Sequence, residues 1–290
     1  LGVVFLEIPV LSTTQVQDYL KCGRFYYYKY LCPEIPDPPK TYYLLRGTAV
    51  HAALEHNYRF KVYHRQDMRL SQVLEIYEKE LSFEKDSVDW LDSSYGEMLD
   101  LGTAVLGEYF DKIAPYTFPY PTDWSVEYPF LMPFPFTQNK INFSGVIDLL
   151  TNELILIDHK TKEKSPSKGE FSRSLQMQGY SYAVMRQIKE NILGPIPRPL
   201  LESFRKKRKF SARVDCLVFG KNPKVVSEDV KFGVEDFESF LQTTYEVWKS
   251  IISGSFPPNR MAFYGHCDKY CSYYKYCSKN EYVTPRPKGE

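Results

Sequence analysis

Two apolar runs that each meet an acidic residue constrain this chain more than any other feature. They are Gly145-Val146-Ile147-Asp148 and Ile155-Leu156-Ile157-Asp158-His159-Lys160. Their composition predicts strands over 140–150 and 153–160, joined by a tight turn at Thr151-Asn152. A buried charge is costly unless it is paired or ligates a metal, so an aspartate interrupting each strand predicts a partner for it. Side chains alternate along a strand, which puts Asp158 and Lys160 on one face and His159 on the other. With a three-residue turn, Asp148 is expected opposite Leu156. Asp158 is then its diagonal neighbour on the same face, roughly 7–8 Å away. Two carboxylates so placed can hold one hard cation, and the Lys160 ammonium can orient a water or offset charge on a phosphoryl group. The same residues also satisfy a salt bridge at a strand end, and the Asp…Asp-x-Lys spacing alone does not decide between the two.

The flanking sequence alternates helical and extended patterns. Ser12-Thr13-Thr14-Gln15 has the form of a helix cap, and Val16, Tyr19, Leu20 and Phe25 carry the helix to about Tyr30. Pro33, Pro36, Pro38 and Pro39 impose an extended loop. Further helices are predicted from about Gly47 past Tyr58 and over 70–85, 93–113, 171–188 and 235–252. Strands are predicted around 124–131, 212–219 and 224–231. The tail from Met261 is rich in Cys and Tyr and lacks a clear period. The order predicts an α/β fold, a mixed central β-sheet flanked by helices, with helical insertions and a Cys-rich C-terminal segment. A single domain over 1–290 is expected, with its core at about 46–232.

A net charge of +1 gives no global basic signature, so nucleic-acid binding must rest on local patches. The densest is Arg205, Lys206, Lys207, Arg208 and Lys209, flanked by Arg198 and Arg213. Phosphate contact and a solvated loop account for it equally. Aromatic residues reach 16%, including 24 Tyr, and serve either packing or base stacking. No apolar run reaches the length of a membrane span, and the apolar stretch 1–11, which carries Glu7 and Pro9, is too short for a signal peptide. No Gly-rich phosphate loop ends in Lys-Ser/Thr, which excludes a built-in ATPase motor of that type. Six unevenly placed Cys argue against a secreted disulfide scaffold. An intracellular protein, cytoplasmic or nucleoid-associated, is expected.

Two helical segments add to the hairpin. Arg46-Gly47-Thr48-Ala49-Val50-His51 opens a helix in which His51 and Glu55 lie one turn apart. His51 offers a neutral imidazole as a metal ligand, and Gly47 permits close backbone approach. Gln176 and Tyr180, again one turn apart, present an amide and a phenol able to hydrogen-bond a phosphate. The order Gly-Thr-x-x-His, Gly-x-x-Asp, Asp-x-Lys, Gln-x-x-x-Tyr resembles the RecB-like branch of the PD-(D/E)xK nucleases. The resemblance implies a restriction-endonuclease-like core in which His51, Asp148 and Asp158 bind Mg or Mn and Lys160 is catalytic. Gln176 and Tyr180 match the family's final motif, and Glu127 sits where many relatives carry an acidic residue on the preceding strand. The activity implied is metal-dependent hydrolysis of DNA, as an exonuclease acting on single strands or ends. A catalytically silent module that binds DNA or a helicase is the alternative.

Cys267-x3-Cys271-x5-Cys277 closes the chain, and Cys22 lies in the first predicted helix. Three clustered thiols and a distant fourth suit an iron–sulfur cluster or zinc. The arrangement is similar to that of the iron–sulfur subset of RecB-like nucleases, which includes AddB-type nuclease domains, CRISPR-associated spacer-trimming nucleases and mitochondrial exonuclease five. It implies a [4Fe–4S] cluster on Cys22, Cys267, Cys271 and Cys277 that ties segments 12–32 and 261–280 together. Here three residues separate Cys267 from Cys271, where relatives often have two. DNA is the implied partner, with a helicase or a CRISPR integrase as possible companions and no membrane. Cys32 and Cys216 read as packing thiols, with Cys32 as a substitute ligand for the cluster.

Overall fold

A computed structural model describes residues 9–137, 141–190, 192–193, 196–207 and 209–278. Arg208 and the end of the Cys-rich segment, 279–280, lie outside the described residues. In chain order the principal elements are β1 (Val10–Ser12), α1 (Thr13–Lys21), α2 (Gly23–Leu31), α3 (Tyr42–His64), α4 (Leu70–Phe83), α5 (Tyr95–Lys112), β2 (Val126–Pro133), β3 (Asn142–Leu150) and β4 (Leu156–Lys162). There follow α6 (Leu175–Lys189), α7 (Arg198–Lys206), β5 (Phe210–Val218), β6 (Lys224–Phe232), α8 (Val234–Ile252), α9 (Cys267–Tyr270) and α10 (Tyr274–Ser278).

The chain divides into two compact units. The larger comprises Pro39–Phe130 and Val146–Phe237; the smaller comprises Leu1–Pro38, Leu131–Gly145 and Glu238–Glu290. In the larger unit the end of β3 pairs antiparallel with β4, β4 parallel with β5, and β5 antiparallel with β6. This is the mixed sheet expected from the sequence. The β4–β5 register sets His159 beside Asp215 and Lys160 beside Cys216. Alternation therefore gives the sheet two unlike faces. The face of Ile157, His159 and Leu217 belongs to a core built from α3, α4 and α5, with Val50, Leu54, Val73, Val105 and Leu106. The face of Asp158 and Lys160 looks toward α6.

In the smaller unit β1 pairs parallel with the start of β3, Leu11 lying beside Phe143. The capping box foreseen at Ser12 forms: Ser12 Oγ accepts from the Gln15 N–H at 3.2 Å, and Gln15 Oε1 accepts from the Ser12 N–H at 2.8 Å. The helix expected to continue to Tyr30 instead breaks at Cys22, whose backbone is extended (φ −166°, ψ 119°). Gly23 explains the break. A Cβ there would sit 2.9 Å from Phe256 and Pro257 backbone and ring atoms, a close approach that only glycine permits.

Two other expectations are corrected. The helix expected from Gly47 begins at Tyr42, once the prolines at 36, 38 and 39 are passed, and ends on Arg65 in the left-handed region (φ 59°). The basic run, for which the sequence leaves a solvated loop and phosphate contact both open, begins inside α7. Asp148 does not lie opposite Leu156: Leu149 pairs with Ile157 and Leu150 with Leu156. The reason is the turn. The Thr151 N–H bonds the Ile155 carbonyl at 2.9 Å, and Leu154 turns through the left-handed region (φ 59°), so the bend centres on Glu153, one residue beyond Asn152, and the pairing shifts by two. A shift of two keeps every side chain on its face. The pairing ends at Leu149 and Ile157; beyond it the Asp148 side chain accepts the His159 N–H. Among the described residues, no helix is long and apolar enough to cross a membrane.

Candidate metal centre

Three elements of the larger unit converge on one point. His51 comes from the middle of α3, Glu127 from the start of β2, and Asp148 from β3. His51 Nδ1 lies 3.6 Å from Glu127 Oε1 and 3.6 Å from Asp148 Oδ2. Among the described residues, this is the one group of three or more His, Cys, Asp or Glu side chains whose ligand atoms all lie within 4.8 Å of one another. One imidazole and two carboxylates make an oxygen-rich donor set that suits a hard or borderline divalent cation.

Glu127 reaches this point by an unusual route. Its φ of 46° is left-handed, a conformation that side chains other than glycine adopt at a cost. Pro129 and Pro133 also interrupt β2, and together these features hide the strand's alternation in the sequence. Glu127 was legible only from its place before the hairpin, not from any period.

Asp148 turns its carboxylate toward the backbone of β4, where Oδ2 accepts the His159 N–H at 2.6 Å. Burial raises the Asp148 carboxyl, against the opposing His51 charge and with Asp158 adding to it, to about 7. Burial works to lower His51, but the Asp148 charge and Glu127 outweigh it and hold the imidazole up at about 9. Without a cation, the centre therefore retains protons in place of one.

Asp158 lies outside the tight group but next to it. Its side chain is 2% exposed, and Lys160 Nζ stands 3.0 Å from Oδ1 and 2.9 Å from Oδ2. Oδ2 is buried and, apart from this ion pair, meets no donor in hydrogen-bond geometry, so a lone pair is left for a further contact next to the centre. Burial disfavours the Lys160 charge, yet Asp158 and Asp148 raise its pKa above the ordinary lysine value, so it remains an ammonium. Tyr180, on α6, is a buried phenol whose pKa is raised by burial, opposed by its hydrogen bond with Gln176. The structure thus brings His51 and Asp148 together with Glu127, sets the Asp158–Lys160 pair beside them, and places Tyr180, bonded to Gln176, where Asp158, Lys160 and Asp148 act on it.

Two neighbours play other parts than expected. Glu55 pairs with Arg59 at 2.7 Å, away from the centre. A Cβ on Gly47 would meet Thr161 Oγ1 at an ordinary 3.6 Å, so no close approach requires the glycine. Arg46, 2% exposed, pairs with Glu163 and lies 4.6 Å from the Phe219 ring centroid, anchoring α3 against the ends of β4 and β5.

In the smaller unit, Cys22, Cys267, Cys271 and Cys277 line one cavity of about 600 Å³. Burial raises the Cys271 and Cys277 thiols, and the neighbouring sulfurs of the set add to it. No three of these sulfurs fall within 4.8 Å of one another. Around one zinc ion, with Zn–S bonds of about 2.3 Å, tetrahedral thiolates lie about 3.8 Å apart. The wider spacing and the cavity fit a larger group. Neither Cys32 nor Cys216 lines the cavity; Cys216 is buried in β5, and Cys32 is buried in the aromatic cluster against which Cys271 and Cys277 pack.

The family model of the PD-(D/E)XK nuclease superfamily matches residues 10–278. The chain belongs to that superfamily. The match runs through both units and includes the candidate centre and all four thiols of the cavity. Comparison with curated proteins found no match.

Proposed function

We propose that this PD-(D/E)XK protein is a Mg- or Mn-dependent deoxyribonuclease of the RecB-like branch, cutting single-stranded or end-containing DNA as an exonuclease. The observation that carries this reading is the meeting of His51, Glu127 and Asp148 within 4.8 Å, with the Asp158–Lys160 pair beside them. Those three side chains would hold a divalent ion, with Asp158 Oδ2, which also meets the Lys160 ammonium, as a further donor. When bound, such an ion supplies Lewis acidity toward a phosphodiester. Lys160, kept charged by Asp158 and Asp148, orients the attacking water and offsets negative charge growing on the phosphorus oxygens. Gln176 and Tyr180 hydrogen-bond the phosphate from α6. Four thiols around one cavity support a [4Fe–4S] group in the smaller unit, where binding energy would serve folding.

The test is cleavage of end-labelled single-stranded DNA by chain purified without oxygen, with Mg or Mn added or chelated. Metal-dependent shortening from an end supports the proposal, and closed circles should survive. Cleavage that persists in chelator, or that survives Lys160→Ala at the normal rate, refutes it. Iron and acid-labile sulfide in the protein, lost in Cys22→Ser, check the cluster separately.

A further inference from the structure

Behind the candidate centre, three polar rings are sunk in the apolar core. Tyr58, Tyr109 and His159 are 1%, 0% and 2% exposed and come from α3, α5 and β4. Burying such groups is costly unless each finds a partner. Tyr58 Oη lies 2.7 Å from Tyr109 Oη, which lies 3.0 Å from His159 Nε2. The Tyr58 ring stacks on the imidazole at 6.0 Å and 15°, and Tyr109 meets it edge-on at 5.8 Å and 74°. The other ring nitrogen, Nδ1, stands 3.7 Å from Asp148 Oδ2, the oxygen that also takes the His159 backbone N–H.

Donor and acceptor counts give this row a direction. A neutral imidazole has one N–H and one bare nitrogen, and an ionised carboxylate only accepts. With Asp148 ionised, as it must be to hold a cation, the nitrogen facing it carries the hydrogen, and Nε2 accepts. Tyr109 must then donate to Nε2, and Tyr58 to Tyr109. Both phenol donors then point toward His159 and polarise each other; the imidazole N–H faces Asp148 across 3.7 Å, beyond hydrogen-bond reach, and the bond between the two residues is the His159 backbone N–H to Oδ2.

We infer that Tyr58, Tyr109 and His159 are positioning residues for Asp148, holding its carboxylate in the orientation that meets His51 and Glu127. The inference rests on the metal reading above. It gives the α4–α5 pair, which lengthens the chain between His51 and Glu127, a role at the centre, because α5 supplies the middle link. Tyr58 lies two turns beyond His51 on α3, so one helix face carries both a ligand and the end of the row that orients another.

The test uses the full chain and Mn2+ without DNA, with free ion read by its spin-resonance signal. Tyr109→Phe removes a hydroxyl and keeps the ring; it should weaken Mn2+ binding about tenfold. Tyr58→Phe, one link farther away, should weaken it less, and it keeps the test decisive should Y109F not fold. Val105→Ala, a fully buried change on the same helix, should lower thermal stability and leave Mn2+ affinity alone. Ring-nitrogen NMR should show His159 with its hydrogen on Nδ1 in the unaltered chain and a mixture in Y109F. Wild-type Mn2+ affinity in both tyrosine variants, or equal weakening by Y109F and V105A, overturns the inference. An unaltered chain that takes up no Mn2+ overturns the metal reading as well, which separates the two failures.

Discussion

The His159 main chain is bonded to the Asp148 side chain, N–H to Oδ2 at 2.6 Å. Asp148 thus both faces the candidate cation site and stands in for a ladder carbonyl where β3 and β4 part. The two roles separate by substitution. Asp148→Asn keeps an acceptor for the N–H and removes a buried charge, so folding should survive while metal-dependent cleavage is lost. Asp148→Ala loses both, and an N–H left without its acceptor costs about 1–3 kcal/mol. Urea unfolding with a cleavage assay checks the pair. Equal stability of the two variants would mean the bond contributes nothing.

Glu127 sets function against stability in a different way. At φ 46° its backbone carries a strain of about 1–2 kcal/mol that glycine escapes. Glu127→Gly should therefore be more stable than Glu127→Ala by about 1 kcal/mol, while both bind Mn2+ more weakly than the unaltered chain. Thermal unfolding of the cation-free proteins decides the first point. If the alanine variant were the more stable, the left-handed conformation would not be a strained one.

Proton competition at the centre has a definite sign. In the cation-free protein His51 keeps its proton up to about 9, and Asp148 keeps its own to about 7. Ligands must give up protons to bind a metal. Apparent Mn2+ affinity should rise as pH climbs through 7 and keep rising toward 9, with protons released on binding. Calorimetry in buffers of different ionisation enthalpy counts those protons. Affinity that is flat from about 6 to 9 would place the cation elsewhere.

Much of this centre was legible in the sequence because apolar strands that stop at an acid are rare without a reason. Asp158 and Lys160 were placed on a common face by alternation, and Asp148 joined them through an assumed three-residue turn; a two-residue error in that register left the face unchanged. Helical spacing paired His51 with Glu55, which turns to Arg59 instead; it was the resemblance that joined His51 and the Gln176–Tyr180 pair to the hairpin. Glu127 was far less legible, since β2 bends through a left-handed residue and two prolines and so shows no period of two. The break at Cys22 was hidden for another reason. It depends on Gly23 lying against Phe256 and Pro257, which are far away along the chain. The row through Tyr58 and Tyr109 was invisible likewise, because buried tyrosines in helices look like ordinary core.

The basic run at 205–209 is the remaining open element, and its structure makes the two readings separable. Arg205 and Lys206 end α7, a helix with no buried residue, and Lys207 and Lys209 beyond it are exposed. The Phe204 ring, set edge-on to Phe210 at 5.9 Å, ties the helix end to β5, so the charges are presented from a fixed point. Replacing Arg205, Lys206 and Lys207 together by alanine should change folding stability by only about 0.5 kcal/mol. If these side chains meet phosphates, DNA affinity should fall for all sequences alike. The slope of log affinity against log salt should shrink by about one for each phosphate that is no longer neutralised. Binding measured at several salt concentrations decides the matter: an unchanged slope would mark the run as a solvated face, with the DNA held elsewhere.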